Sequence, residues 1–111
     1  MTWPVRSKLL GQYSATPAAN TLITLGTVPA GKTWLVKDVV FHNSGAAARN
    51  LFLWATIGGV AYVVLQAPAL AAAATSASSG RSIVLPAAGV LQFSSSTAQA
   101  LIVYVSGAQL G

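Results

Sequence analysis

The sequence predicts an all-β protein, a single antiparallel β-sandwich of jelly-roll type with about eight short strands and an extended N-terminal arm. Two observations carry most of that prediction. Apolar residues recur at period two or in short runs, and Gly, Pro and Asn punctuate those runs at strand-length intervals. The chain is also 111 residues long and free of cysteine, which suits one domain with its own hydrophobic core and no disulfide or thiolate staples. The boundaries expected are an arm over residues 1–20 and a sandwich over residues 21–111.

Residues 1–20 read as an arm or a first irregular strand, interrupted by Pro4, Gly11 and Pro17. Thr21 to Val28 (TLITLGTV) is rich in β-formers. Thr33 to Asn43 (TWLVKDVVFHN) gives the clearest strand, with Trp34, Val36, Asp38, Val40 and His42 alternating against Leu35, Lys37, Val39 and Phe41. Neither set is purely polar, so both faces of that strand are expected to be covered in part. Asn43-Ser-Gly45 marks a turn before Arg49 to Ile57, and Gly58-Gly59 is a tight-hairpin dipeptide leading into Val60 to Leu65. The Ala-rich stretch Ala67 to Ser79 admits a short helix at Ala69–Ala74 on propensity, or a strand and loop, and its position between strands tips the reading to the latter. Ser82 to Leu85, Val90 to Ser95 and Ala100 to Ser106 complete the strands, and Gly107 to Gly111 reads as a tail.

Two turns repeat one device. Val28-Pro-Ala-Gly-Lys32 and Leu85-Pro-Ala-Ala-Gly89 each close one strand and start another, with proline fixing φ and glycine supplying a conformation that side chains disfavour. The first of these lies inside GTVPAGKT (residues 26–33), which spells the phosphate-binding P-loop. The spelling lacks its context. A P-loop lysine opens a helix whose N-terminal N–H groups hold the phosphates, whereas TWLVKDVVFHN is a strand. The only acid available for magnesium, Asp38, lies on that same strand.

Charge is the composition's most unusual feature. Six Lys and Arg face one acid, for a net charge of +5, and charged residues make up 6% of the chain against about 25% in ordinary soluble domains. Mixed charges keep soluble surfaces apart, so a chain this poor in them is expected to bury surface in an assembly. The cations Arg6, Lys8, Lys32, Lys37, Arg49 and Arg81 are scattered and do not alternate with aromatics as in single-strand binders, so no nucleic-acid partner is expected. The longest apolar run, Val60 to Ala74, is broken by Gln66 and Pro68 and falls short of the ~20 residues that cross a bilayer. The N-terminus carries Pro4 and two cations where a signal peptide needs an apolar core, so neither a signal peptide nor a membrane partner is expected.

Enzyme chemistry fails on inventory, and no cofactor is implied. One acid cannot supply a carboxylate pair, and a lone His42 cannot build a multi-imidazole metal site. Asp38 and His42 could belong to a triad with a serine, yet four residues along one strand face place them roughly 13 Å apart. His42 is expected to bond the backbone near the Asn43 turn, and Asp38 to pair with Lys37 of a neighbouring strand or subunit, or with Arg49. Among the aromatics Trp3, Tyr13, Trp34, Trp54, Tyr62 and Tyr104, the two strand tryptophans are expected in core or subunit packing. Trp3, with Arg6 and Lys8 in the arm, forms a candidate anchor onto a partner. Arg49 and Arg81 complete the set of candidate partner-binding residues.

The run Thr27-Val-Pro-Ala-Gly-Lys-Thr33, then Trp34 to Val40, resembles small β-sandwich virion proteins of tailed bacteriophages. So do Val84-Leu-Pro-Ala-Ala-Gly-Val-Leu91 and Ile102-Val-Tyr-Val-Ser-Gly107. The likeness spans residues 20–107 and rests on turn-and-strand patterns. It implies a non-enzymatic virion structural protein, most of all a capsid decoration protein. Such a protein binds the major capsid protein on the capsid exterior as a homo-oligomer, typically a trimer. A tail, collar or baseplate component is the alternative within the same fold. A lectin-like module using exposed aromatics is the alternative from another class.

Overall fold

A computed structural model describes residues 5–79 and 83–111. They form nine strands and, among the described residues, no helix. The strands are β1 (Val5–Ala15), β2 (Ile23–Thr27), β3 (Thr33–Asn43), β4 (Arg49–Ile57), β5 (Val60–Leu70), β6 (Thr75–Ser78), β7 (Ile83–Leu85), β8 (Val90–Ser95) and β9 (Leu101–Leu110). The chain is wound as one long hairpin doubled over on itself. Its tip is Gly58-Gly59, with φ of 61° and 80°, the pair of positive φ angles that lets a two-residue turn follow strand twist. Partners stay symmetric about that tip, since Ile57 faces Val60, Val39 faces Ser78, Thr27 faces Val90 and Val5 faces Leu110. Doubling the hairpin produces a five-stranded sheet, β1-β9-β3-β6 with β7 also on β3, and a four-stranded sheet, β2-β8-β4-β5. With β6 and β7 counted as one interrupted strand against β3, this is an eight-stranded jelly roll.

The strands at β3, β4 and β8 have the bounds their sequence predicts. Residues 1–20 admitted an arm or an irregular strand, and Val5–Ala15 is a strand paired along its length with β9, its irregularity a register shift between Leu9 and Gly11. The Ala-rich stretch contains no helix. β5 runs on to Leu70, a turn with Ala73 at φ 59° follows, and β6 begins at Thr75. Gly107 to Leu110, expected as a tail, belongs to β9 and pairs on both sides, with β1 and β3.

A second correction concerns the alternation of β3. A register shift between Val36 and Asp38 leaves Lys37 as a bulge residue, and a bulge of one residue switches which parity faces the core. Trp34 and Val36 are buried before it, Val39, Phe41 and Asn43 after it. Each face is therefore consistent along its length, although the letters alone mix them.

Between the sheets, Phe41, Phe93, Leu51, Leu53, Leu85, Leu91, Val103 and Val105 are fully buried, and the Tyr13 ring tilts against Phe93 with centroids 4.8 Å apart. The surface left is 5669 Å², close to the roughly 5,700 Å² expected of a folded monomer of 11.3 kDa. The core is thus complete within one chain, and the excess of apolar residues lies outside it.

The two Pro-Ala turns sit side by side. Val28 N–H donates to Gly89 O at 2.8 Å and Ala88 N–H to Val28 O at 3.0 Å. Within each, the fourth residue donates to the proline carbonyl, Lys32 to Pro29 and Gly89 to Pro86. The third residue takes positive φ, as a type II turn demands: in the first turn it is the expected glycine, Gly31 at 74°, but in the second it is Ala88 at 67° and not Gly89, which is the fourth residue and donates the closing hydrogen bond.

Candidate functional site

The GTVPAGKT stretch resolves first. Lys32 is followed by strand, and its Nζ donates to the Gly111 carbonyl at 2.6 Å. It ties the end of the chain to the turn, where a P-loop lysine would face phosphates at a helix N-terminus.

Arg49 is the next expectation the structure corrects. Expected among the partner-binding cations, it is 2% exposed. Its Nε and one Nη2 hydrogen reach Asn43 Oδ1 at 2.9 and 2.7 Å, and its Nη1 reaches Ser95 Oγ at 3.2 Å and Gln99 O at 2.6 Å. The second Nη2 hydrogen goes to Ala100 O. A guanidinium has five N–H donors, and all five are spent inside the chain, so none remains for a partner. Its acceptors are all neutral, and the expected pairing with Asp38 is not made. Burial without a carboxylate pushes the Arg49 pKa below its ordinary value. Asn43, fully buried, completes this junction. Its Nδ2 donates to Ala47 O and Leu70 O at 2.9 Å each and to Ala71 O at 3.2 Å, while Oδ1 also accepts Gly45 N–H. The pair thereby binds three loops at one end of the sandwich. Parity was the signal in the sequence: Arg49 shares it with Leu51 and Leu53, and Asn43 with Phe41 and Val39.

The remaining predicted residues divide. Trp3 and Arg81 lie outside the described residues, and Arg6 pairs with Gln109 in the β1–β9 register. Lys8 is exposed, its Nζ donating to Gln109 Oε1 at 2.9 Å and lying 5.4 Å from the centroid of the Trp34 ring. Trp34 Nε1 shares the same Gln109 oxygen at 3.0 Å. His42 bonds across the strand pair to the Thr75 hydroxyl at 2.8 Å, and not to backbone at the Asn43 turn.

Two surfaces, of opposite character, are open to partners. On the five-stranded sheet, bulges in β1 and β3 flank Ser106 and Gly107 of β9 from both sides. They frame an open groove of about 380 Å³ lined by Lys8, Leu9, Lys37, Asp38, Tyr104 and Ser106. This groove gathers the chain's one acid and two of its lysines, with Leu9 and Tyr104 about two-fifths exposed. The four-stranded sheet contrasts with it. Its strands contain a single charged residue, the buried Arg49. Trp54, half-buried, donates to Ser94 Oγ at 2.8 Å, and edge strand β5 exposes Val60, Tyr62 and Val63 by 50%, 52% and 40%. Charge depletion with exposed aromatic and aliphatic side chains is the composition of a protein–protein contact.

No family model and no curated protein matches the chain. Solved structures do match it. A chain in the structure of infectious bursal disease virus, Gx strain, aligns at 15% identity and a TM-score of 0.55, over 97% of this chain and 32% of that one. The Gt strain of the same virus aligns at 13% identity and a TM-score of 0.50, with the same coverage. A pentameric capsid protein isolated from metagenomic phage sequences aligns at 17% identity and a TM-score of 0.42, over 90% of this chain and 61% of that one. The chain spans about a third of the length of the virus chains it matches. What it has in common with them is the fold, a β-sandwich present in virus structures.

Proposed function

We propose that this chain is a structural subunit of a bacteriophage virion, a capsid decoration protein that binds the major capsid protein lattice from outside as a homo-oligomer. The observation that carries the reading is the uncharged four-stranded sheet with its exposed apolar β5 edge, on a subunit that already buries a core of its own. A surface of that kind removes apolar area from water when copies or a lattice cover it, worth about 25 cal/mol per Å² before association costs. A fold in common with chains of a virus structure supports the setting. The net charge of +5 favours an acidic lattice as the second partner, with the Lys8–Lys37 groove on the face towards it. The mechanism is mechanical: subunits bridging joints of the lattice resist their separation under internal pressure. Threefold symmetry of the oligomer is what the sequence resemblance implies.

Quantitative densitometry of purified virions tests this. A copy number on the scale of the capsid lattice is expected. A handful of copies per particle would move the protein to the tail, collar or baseplate, and absence from virions would overturn the reading.

A further inference from the structure

An edge strand presents a row of unpaired N–H and C=O groups, and natural sheets protect such edges by keeping them short or by placing charges and proline on them. Three of the edges here are protected in that way. β2 has five residues, β6 four and β7 three, and β1 carries Arg6 and Lys8. β5 has neither device over most of its length. It runs for eleven residues, VAYVVLQAPAL, with no charge and its first proline at Pro68. A register shift opposite Leu53 and Trp54 is the one interruption between Val60 and Ala67. Val60, Tyr62 and Val63 on it are among the most exposed large apolar residues of the described chain.

We infer that β5 is the contact through which copies of this chain join, an edge strand of a second copy hydrogen-bonding to it so that the four-stranded sheet continues from one subunit into the next. The inference rests on the homo-oligomer proposed above and assigns its surface. Charge selects a second copy as the occupant. Two chains of +5 repel wherever their cations meet, yet Lys8 and Lys37 lie on the five-stranded sheet and Lys32 in the turn that starts β3. On an edge-on approach through β5 these lysines are set back across the sheet: β6 is the strand beside β5, Lys37 lies on β3 one strand further in, and Lys8 lies on β1 at the opposite edge, three strand spacings of about 4.8 Å from β6 and beyond a Debye length of ~8–10 Å. Approach through the groove would oppose two lysines and one aspartate to the same set, a net positive charge on each side. An acidic partner, conversely, gains nothing at β5, where there is no charge to meet.

Sedimentation velocity and light scattering on the purified full chain decide the matter. Wild type is expected as a discrete oligomer. The double variant Val60→Lys/Tyr62→Lys, whose side chains are half exposed and outside the core, is expected to lose the oligomer completely, with wild-type circular dichroism and tryptophan fluorescence. Ile102→Lys/Tyr104→Lys, on the five-stranded sheet, is expected to keep wild-type mass. A wild type that stays monomeric at high concentration overturns the inference, as does a β5 variant that keeps the oligomer. Should the β5 variant fail to fold, amide hydrogen exchange on wild type replaces it. Amides of β5 should lose protection over the dilution range in which mass falls, and unchanged β5 protection there overturns the inference. Virion copy number is a separate readout: a monomeric chain present in lattice numbers would refute the β5 contact and leave the virion reading standing, and an oligomer absent from virions would do the reverse.

Discussion

Replacing Arg49 with alanine removes five donors from a junction that is buried at Asn43 and Ser95 and half-buried at the Gln99 and Ala100 carbonyls. The consequences can be followed atom by atom. Asn43 Oδ1 keeps the Gly45 N–H, and Ser95 Oγ keeps its contacts with Thr97 at 2.9 and 3.4 Å. The carbonyls of Gln99 and Ala100 lose the donors described for them. An orphaned buried acceptor costs about 1–3 kcal/mol, and for these two, whose bonds are part-buried, access of water sets the cost in the lower part of that range. Relief of the buried cation's desolvation offsets little, because its acceptors stay behind. The net expectation is a loss of about 3 kcal/mol. That is a large share of the roughly 5–15 kcal/mol typical of a domain, and it lowers Tm by about 12 °C at ~4 °C per kcal/mol. The assay is urea unfolding followed by tryptophan fluorescence, with Trp34 at 4% exposure as the core reporter. Wild type and variant must be compared at one protein concentration, because self-association adds to apparent stability. Arg49→Lys should be no better than alanine, since a point charge cannot reproduce the fork. Combined with Asn43→Ala, the two losses should fall short of additive by at least about 1 kcal/mol. A loss under 1 kcal/mol for Arg49→Ala at unchanged m-value would refute the account of a closed junction.

The paired corners predict opposite signs for two small changes: Ala88→Gly relieves a left-handed alanine and should raise stability by up to about 1 kcal/mol, whereas Gly31→Ala should cost about as much. Calorimetric Tm shifts of the same sign for both would refute the turn assignment. A Cβ at Gly107 would overlap the Leu35 carbonyl oxygen across the β3 bulge, so Gly107→Ala should cost roughly 2–3 kcal/mol in chemical denaturation, and a neutral result would mean that the bulge is absent. Phe93→Ala empties a fully buried site against Tyr13 and should cost about 3–5 kcal/mol, measured by the same unfolding curves.

Local signals explain which elements could be read from the letters. Thr33–Asn43, Arg49–Ile57 and Val90–Ser95 are bounded by glycine or asparagine turns and filled with β-branched and aromatic residues, so their limits are visible in the sequence. The sequence ends β5 at Leu65, short of Leu70, because Ala67-Pro-Ala-Leu70 has the composition of a turn or helix, and the hydrogen bonds that extend the strand come from β4, a non-local partner. The sequence ends β9 at Ser106 because Gly107 reads as a terminator. Its actual role, giving β3's bulge room, depends on a residue seventy positions away in the chain. The bulge itself has no signature in TWLVKDVVFHN, and one inserted residue was enough to set Asp38 beside Trp34 and Val36 in the sequence pattern when they face opposite sides. For the candidate site, the scarcity of charge was legible and pointed to assembly, but the separation of charge between the two sheets was not, because it is a property of the pairing.

That separation bears on why a charge-poor subunit can still form a defined assembly. If the four exposed or half-exposed ionic side chains described, Lys8, Lys32, Lys37 and Asp38, were spread over both sheets, every mutual orientation of two copies would carry some repulsion and none would be singled out. Confining them to one sheet and its adjoining turn makes one side of the sandwich permissive and the other discriminating. The jelly-roll winding produces this economically: β1 and β3, which contain the ionic residues, are brought to opposite flanks of β9, while β2, β4, β5 and β8 carry none but the buried, hydrogen-bonded Arg49. A single lysine introduced on β5 would therefore alter more than one contact, since it would put like charges into an approach that two +5 chains can make, among the described residues, without bringing their lysines together.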